Sequence, residues 1–247
     1  MKTASLALAT ALLCAAARMA EAAELKVLAT PGVREFYAEL TPQFERASGH
    51  RVTTEWAGTV DVMKRIGGGE IVDLVIAASD SIEQLIKLGK VAGRTDLARS
   101  GIGLAVRADA SRPDISSGEA VKQALRGAKS IAYSSGPSGI YFAALTQRMG
   151  IADEIKSKMV QIPPGESVGA LVARGEAEIG IHQMSELLPV KRIDIVGPLP
   201  PDIQKTTTFS AGRHVGTRES DAVGALVDFL AAPGAIPVIR KHGMDPG

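Results

Sequence analysis

The sequence predicts an α/β protein with open twisted sheets, and three patterns point that way. Short apolar runs alternate with longer stretches of helical period along the chain. Runs such as Leu74-Val75-Ile76-Ala77-Ala78 are apolar without alternation, as strands buried on both faces of a parallel sheet are. Strand after strand also gives way to a helix through a turn of small polar residues.

Residues 25–30 read as the first strand, followed by a helix over about 33–48 with Phe36, Leu40 and Phe44 on one face. Gly49 stops it, as a left-handed residue would. Residues 51–57 form a second strand, 60–66 a helical stretch, 73–78 a third strand, and 81–88 a helix ended by Gly89. The pattern then repeats. Strand-like segments fall at 103–107, 130–133 and 178–183, and helical ones at 117–126, 139–149 and 168–174. The prolines at 163–164 and 198–201 mark short corners, and no internal repeat or low-complexity segment is present.

Residues 1–22 have the layout of a secretory leader: Lys2, then apolar and small residues over 3–17, then the small-x-small pattern Ala20-Glu21-Ala22. Cleavage after Ala22 and a periplasmic mature chain are expected. The one cysteine, Cys14, lies in that leader. Leu12 and Leu13 precede it, where lipid attachment needs small residues. The mature chain then holds no disulfide, thiolate metal site or cysteine nucleophile. Of 28 Lys and Arg and 27 Asp and Glu, the leader takes Lys2, Arg18 and Glu21, which leaves 26 of each. No block of like charge remains, so nucleic acid and membrane surfaces find no electrostatic footing.

The turns carry the functional signal. Thr30-Pro31-Gly32 follows the first strand, Gly58-Thr59 the second, Ala78-Ser79 the third, and Ser134-Ser135-Gly136-Pro137-Ser138-Gly139 the strand near 130. In open α/β sheets ligands bind beyond the carboxyl ends of the strands. Helix N-termini there offer unpaired N–H groups and a positive dipole end, which favour an anion. Gly67-Gly68-Gly69 lacks phosphate-loop spacing, no Gly-x-Ser-x-Gly elbow occurs, and four scattered histidines make no zinc pattern. No cofactor or metal is expected.

With these turns in view, the chain resembles the periplasmic molybdate-binding protein family of ABC importers over essentially its whole mature length. The most specific stretches are Asp73-Leu74-Val75-Ile76-Ala77-Ala78, Arg174-Gly175-Glu176-Ala177-Glu178-Ile179-Gly180-Ile181 and Phe229-Leu230-Ala231-Ala232-Pro233. The resemblance implies a type II periplasmic-binding fold, two Rossmann-like lobes joined by two crossing strands. Lobe 1 would hold residues 23–105 plus 207–247, and lobe 2 residues 106–206. It implies a substrate-binding protein that captures a small anion, an oxyanion or organic carboxylate, between the lobes. Its partners would be a permease and an ATPase, and it would act as a monomer.

The resemblance carries the anion pocket onto Pro31, Gly32, Thr59, the Ser135 to Ser138 turn and Val168; the turn pattern adds Ser79 and Gly139. Gln183 stands where the family has a pocket tyrosine. Pro31-Gly32 replaces a serine-rich turn and Thr59 a serine, so the ligand need not be molybdate. The chain is also similar to aconitate-isomerase-like members of the family. That implies an alternative: interconversion of trans- and cis-aconitate by allylic proton transfer, with His182 and Glu166 as the proton-transfer groups. His182 reads more readily as a histidine bonded to a loop or ligand, and Glu166 as a helix cap. Arg34 could clamp a carboxylate or lie in solvent. Tyr133 is expected in the core and Tyr141 on a helix face. Arg213 and His214 are expected to be structural, and His50 and His242 to lie at the surface.

Overall fold

The computed structural model describes residues 22–163 and 166–247. The expected leader, save Ala22, lies outside them. Strands β1 (Glu24–Ala29), β2 (Arg51–Trp56) and β3 (Leu74–Ala78) run parallel, in the order β2-β1-β3. They alternate with helices α1 (Arg34–Ser48), α2 (Thr59–Gly67) and α3 (Ser79–Lys87). All five side chains of β3 are buried, because helices cover both faces of that sheet. Gly49 closes α1 at φ 78°.

Strand β4 (Val91–Arg107) belongs to both sheets. Its first part pairs with the first sheet as far as Gly101, and from Ile102 onward it pairs with the second. The boundary expected at 105/106 lies further along the same strand. The second sheet adds β5 (Ile131–Tyr133), β6 (Met159–Gln161), β7 (Ile179–Gln183) and β8 (Ile193–Pro198). There β5 runs parallel to β6 and β7, while β4 lies antiparallel between β7 and β8. Helices α4 (Gly118–Gly127), α5 (Pro137–Arg148), α6 (Ala152–Ile155), α7 (Val168–Arg174) and α8 (Met184–Leu187) pack on this half.

The chain then returns to the first sheet. β9 (Thr206–His214) inserts antiparallel between β3 and β4, and α9 (Ser220–Ala231), α10 (Ile236–Lys241) and β10 (Asp245–Pro246) follow. Gln204 pins the two crossing segments together. Its Oε1 accepts the Ile102 N–H at 2.8 Å, and its Nε2 donates to the carbonyls of Ile102 and Leu199. Each half has its own core. Leu25, Phe36, Leu74, Leu226 and Leu230 are buried in the first, and Leu104, Leu125, Ile131, Phe142 and Ile181 in the second.

The strand expected at 103–107 is thus only the tail of a 17-residue strand. Its earlier part is interrupted by Gly93, Arg94, Asp96 and Arg99 and by two register shifts, which hide the period. Tyr133 packs against Phe142, as a core residue does. His50 departs from its expected surface place: it is 9% exposed, and its Nδ1 accepts the Ala23 N–H at 3.1 Å.

His214, at the end of β9, is structural as expected and carries a pH dependence. Its Nδ1 accepts the Gly216 N–H at 3.0 Å. The ring proton therefore sits on Nε2, which is buried and has no partner among the described residues. Burial, helped by nearby Lys90 and opposed by Asp73, pushes its pKa below the ordinary value. The unfolded chain then binds more protons than the folded one between that depressed value and about 6.5, so stability rises with pH through that window. Urea midpoints are expected to fall as pH drops below about 6.5. His214→Gln should flatten that slope; an unchanged slope would contradict the assignment.

Candidate functional site

A cleft of about 800 Å³ opens between the two halves at the carboxyl ends of their parallel strands. One wall is the turn Thr30 to Gly32 after β1, then Trp56 to Thr59 after β2, and Lys64 on α2. The other is the turn Ser134 to Ser138 after β5, Ser167 before α7, and His182 to Glu186 around the end of β7. Phe209 of β9 forms part of the lining, and its ring packs so tightly on Gly32 that a Cβ there would lie 2.4 Å from it. The halves meet closely. Ser185 Oγ donates to the Gly32 carbonyl at 2.8 Å, and a Cβ on Gly136 would lie 3.9 Å from Thr59 Oγ1.

Two helices aim their N-termini at this space. α2 begins at Thr59 and α5 at Pro137, behind Gly58 and Gly136, and neither receives a side-chain cap. Their dipole ends favour negative charge. Ser138 is buried, with its hydroxyl 3.3 Å from that of Ser134. Thr30 Oγ1 and His182 Nδ1 line the same cleft, and both are buried with no hydrogen-bond partner among the described residues. Unpaired buried polar atoms are costly.

The charges are unevenly committed. Arg65 is held by Glu55 at 2.6 Å and Glu70 at 2.5 Å. Glu166 pairs with Arg174 at 3.1 Å, with 42% of its side chain exposed. Arg34 makes no ion pair among the described residues; its guanidinium lies over the Trp56 ring, 4.8 Å from the centroid. Trp56 is steadied in turn by Tyr37, edge-on at 5.7 Å, whose hydroxyl is 3.0 Å from Thr54 Oγ1. Glu186 Oε2 lies 3.7 Å from His182 Nδ1, one helical turn on.

The profile of bacterial extracellular solute-binding proteins matches residues 25–245. The chain belongs to that family. Among its relatives is an aconitate isomerase from a Pseudomonas species, 36% identical over 230 residues that cover 90% of this chain and 87% of the relative. The molybdate-binding protein ModA of Azotobacter vinelandii is 25% identical over 230 residues, 91% of this chain and 90% of that one. The solved Azotobacter vinelandii periplasmic molybdate-binding protein superposes with a TM-score of 0.75 at 20% identity, covering 90% of this chain and 99% of that one. The type II periplasmic-binding architecture read from the sequence is therefore the architecture of the protein.

Within this solute-binding fold, Pro31, Gly32, Thr59, Ser135, Ser138, His182, Gln183 and Glu166 all border the cleft. Three expected residues do not. Ala78 pairs with Phe209, and Ser79 turns into α3 outside the lining. Gly139 faces the Ser134 backbone, where a Cβ would sit 1.6 Å from the carbonyl oxygen. Val168 is fully buried against Gly180; its neighbour Ser167 lines the cleft and caps α7 through the Ala170 N–H. Ser167, and not Glu166, is therefore the cap.

Gln183 borders the cleft but turns its amide toward the waist. With its oxygen on the Thr207 hydroxyl at 2.7 Å, its NH₂ donates to the carbonyls of Ser100 and Gly101. Tyr141 donates to the Ile203 carbonyl at 2.8 Å, away from the ligand space. Trp56, Ser185 and Glu186 escaped the sequence reading. Two left a signal: Trp56 is the single tryptophan and ends a strand, and Glu186 follows His182 by four residues.

Proposed function

We propose that this solute-binding protein captures a small organic carboxylate in its cleft and presents it, closed, to an ABC permease and its ATPase. The observation that supports this best is Arg34, a cation without a carboxylate partner among the described residues, held on Trp56 in a cleft that the hydroxyls of Thr59, Ser135 and Ser138 also line. A planar guanidinium is suited to bidentate carboxylate recognition. The ligand would touch both lobes, and so would favour the closed form by differential affinity. On this reading the chain is exported, loses residues 1–22 and acts as a monomer.

Ligand screening by thermal shift tests it, with citrate, both aconitates, molybdate, tungstate, sulfate and phosphate. A true ligand at a hundredfold excess over its Kd should add about 2.7 kcal/mol. Stabilisation by a carboxylate is expected; stabilisation by the inorganic oxyanions alone would overturn it.

A second reading is the interconversion of trans- and cis-aconitate. The 36% identical relative named an aconitate isomerase favours it, as does the presence of a histidine and a carboxylate together in the cleft.

A further inference from the structure

We infer that His182 and Glu186 form a proton-transfer pair that acts on a carbon-bound proton of an unsaturated carboxylate held in the cleft. The inference rests on the carboxylate reading of that cleft and gives it a chemistry. The sequence offered Glu166 as the carboxylate, but Glu166 is 42% exposed and paired with Arg174. Glu186 is the better placed of the two. Its side chain is 23% exposed, lines the cleft, and stands 3.7 Å from an imidazole nitrogen that is buried and otherwise unpartnered among the described residues.

A carboxylate without a cation works against anion capture, because it repels the ligand in a confined space. It becomes favourable once His182 carries an extra proton. The pair is thus better matched to the intermediate of a proton abstraction than to the resting complex, which is the condition for catalysis. With Nδ1–H turned toward Glu186, Nε2 bears the lone pair and serves as base.

The step balances without a co-reactant. His182 removes a proton from the methylene carbon next to the C=C bond, and the C–H electron pair delocalises through that bond onto the conjugated carboxylate. The imidazolium then returns the proton to the far carbon of the three-carbon unit, and the double bond has moved one place. The N-termini of α2 and α5 and the unpaired Thr30 hydroxyl are available to the delocalised charge. His182 is the catalytic residue; Glu186 positions it and balances its charge.

The test is NMR of trans-aconitate with the full chain in D₂O, beside binding isotherms. Wild type should convert the substrate, and deuterium should enter the exchanging carbons in the fraction of turnovers in which the His182 Nε2 proton exchanges with solvent before its return. His182→Gln should lower kcat by about 100-fold or more, as loss of a general base does. Glu186→Gln should lower kcat by about 10-fold or more with KM little changed, and Glu186→Asp should recover part of it. Aconitate-dependent melting of each variant verifies that its cleft is intact. Binding without conversion or deuterium exchange in wild type would overturn the pair and leave the carboxylate clamp standing. Full activity in both Gln variants would also overturn it. Absence of any carboxylate binding would overturn the clamp and the pair together.

Discussion

Gly139→Ala is expected to cost the protein its folded second lobe. The added Cβ would lie 1.6 Å from the Ser134 carbonyl oxygen and 2.6 Å from its carbon. Both are backbone atoms of the turn that joins β5 to α5, so no side chain can rotate away. Relief requires α5 to lift from β5, which would pull Phe142 and Leu145 out of the core beside Ile131. Overpacking by one methyl commonly costs about 1–3 kcal/mol, and a clash with fixed backbone exceeds that range. A loss of about 4 kcal/mol or more approaches the whole net stability of a domain. Urea unfolding followed by circular dichroism tests it, and a wild-type midpoint would show that the turn yields.

Arg34→Met is expected to weaken carboxylate binding by about 10- to 100-fold, with the fold intact. A charge-assisted hydrogen bond contributes about 1.5–3 kcal/mol, and each 1.4 kcal/mol is tenfold in Kd. Stability should change by about 1 kcal/mol at most, since an exposed cation–π contact is worth no more. Trp56, the only tryptophan, lies under that guanidinium. Its fluorescence should respond to carboxylate in the wild type and lose much of that response in the variant. Equal affinity in both would remove Arg34 from the site.

The parallel strands were legible because burial on both faces leaves unbroken apolar runs, as at Leu74 to Ala78. The waist was not. β4 changes sheets within one strand, and its early half mixes Gly93, Arg94, Asp96 and Arg99 with buried positions, so no period survives. In the site, the turns at Thr30 to Gly32 and Ser134 to Ser138 stood out, because small polar residues before a helix mark open N-termini. Choosing among their residues needed three dimensions. Ser138 faces the cleft while Gly139, the next residue, faces the Ser134 backbone. The choice between Glu166 and Glu186 turned on Arg174, a partner that spacing alone does not assign.

The insertion of β9 between β3 and β4 also orders how the chain can assemble. Until residues 206–214 are available, β3 has no neighbour on one side and the first half of β4 has no strand to pair it to that sheet. The second sheet, by contrast, is drawn from the uninterrupted stretch between Ile102 and Pro198. Its longest pairing, Gly103 with Pro198, is closer in sequence than the pairings of β9, such as Leu74 with Arg213, and closing the shorter loop is the faster process. The middle of the chain is therefore expected to gain protection from hydrogen exchange first during refolding. The half that holds both ends follows, completed from its last forty or so residues inward.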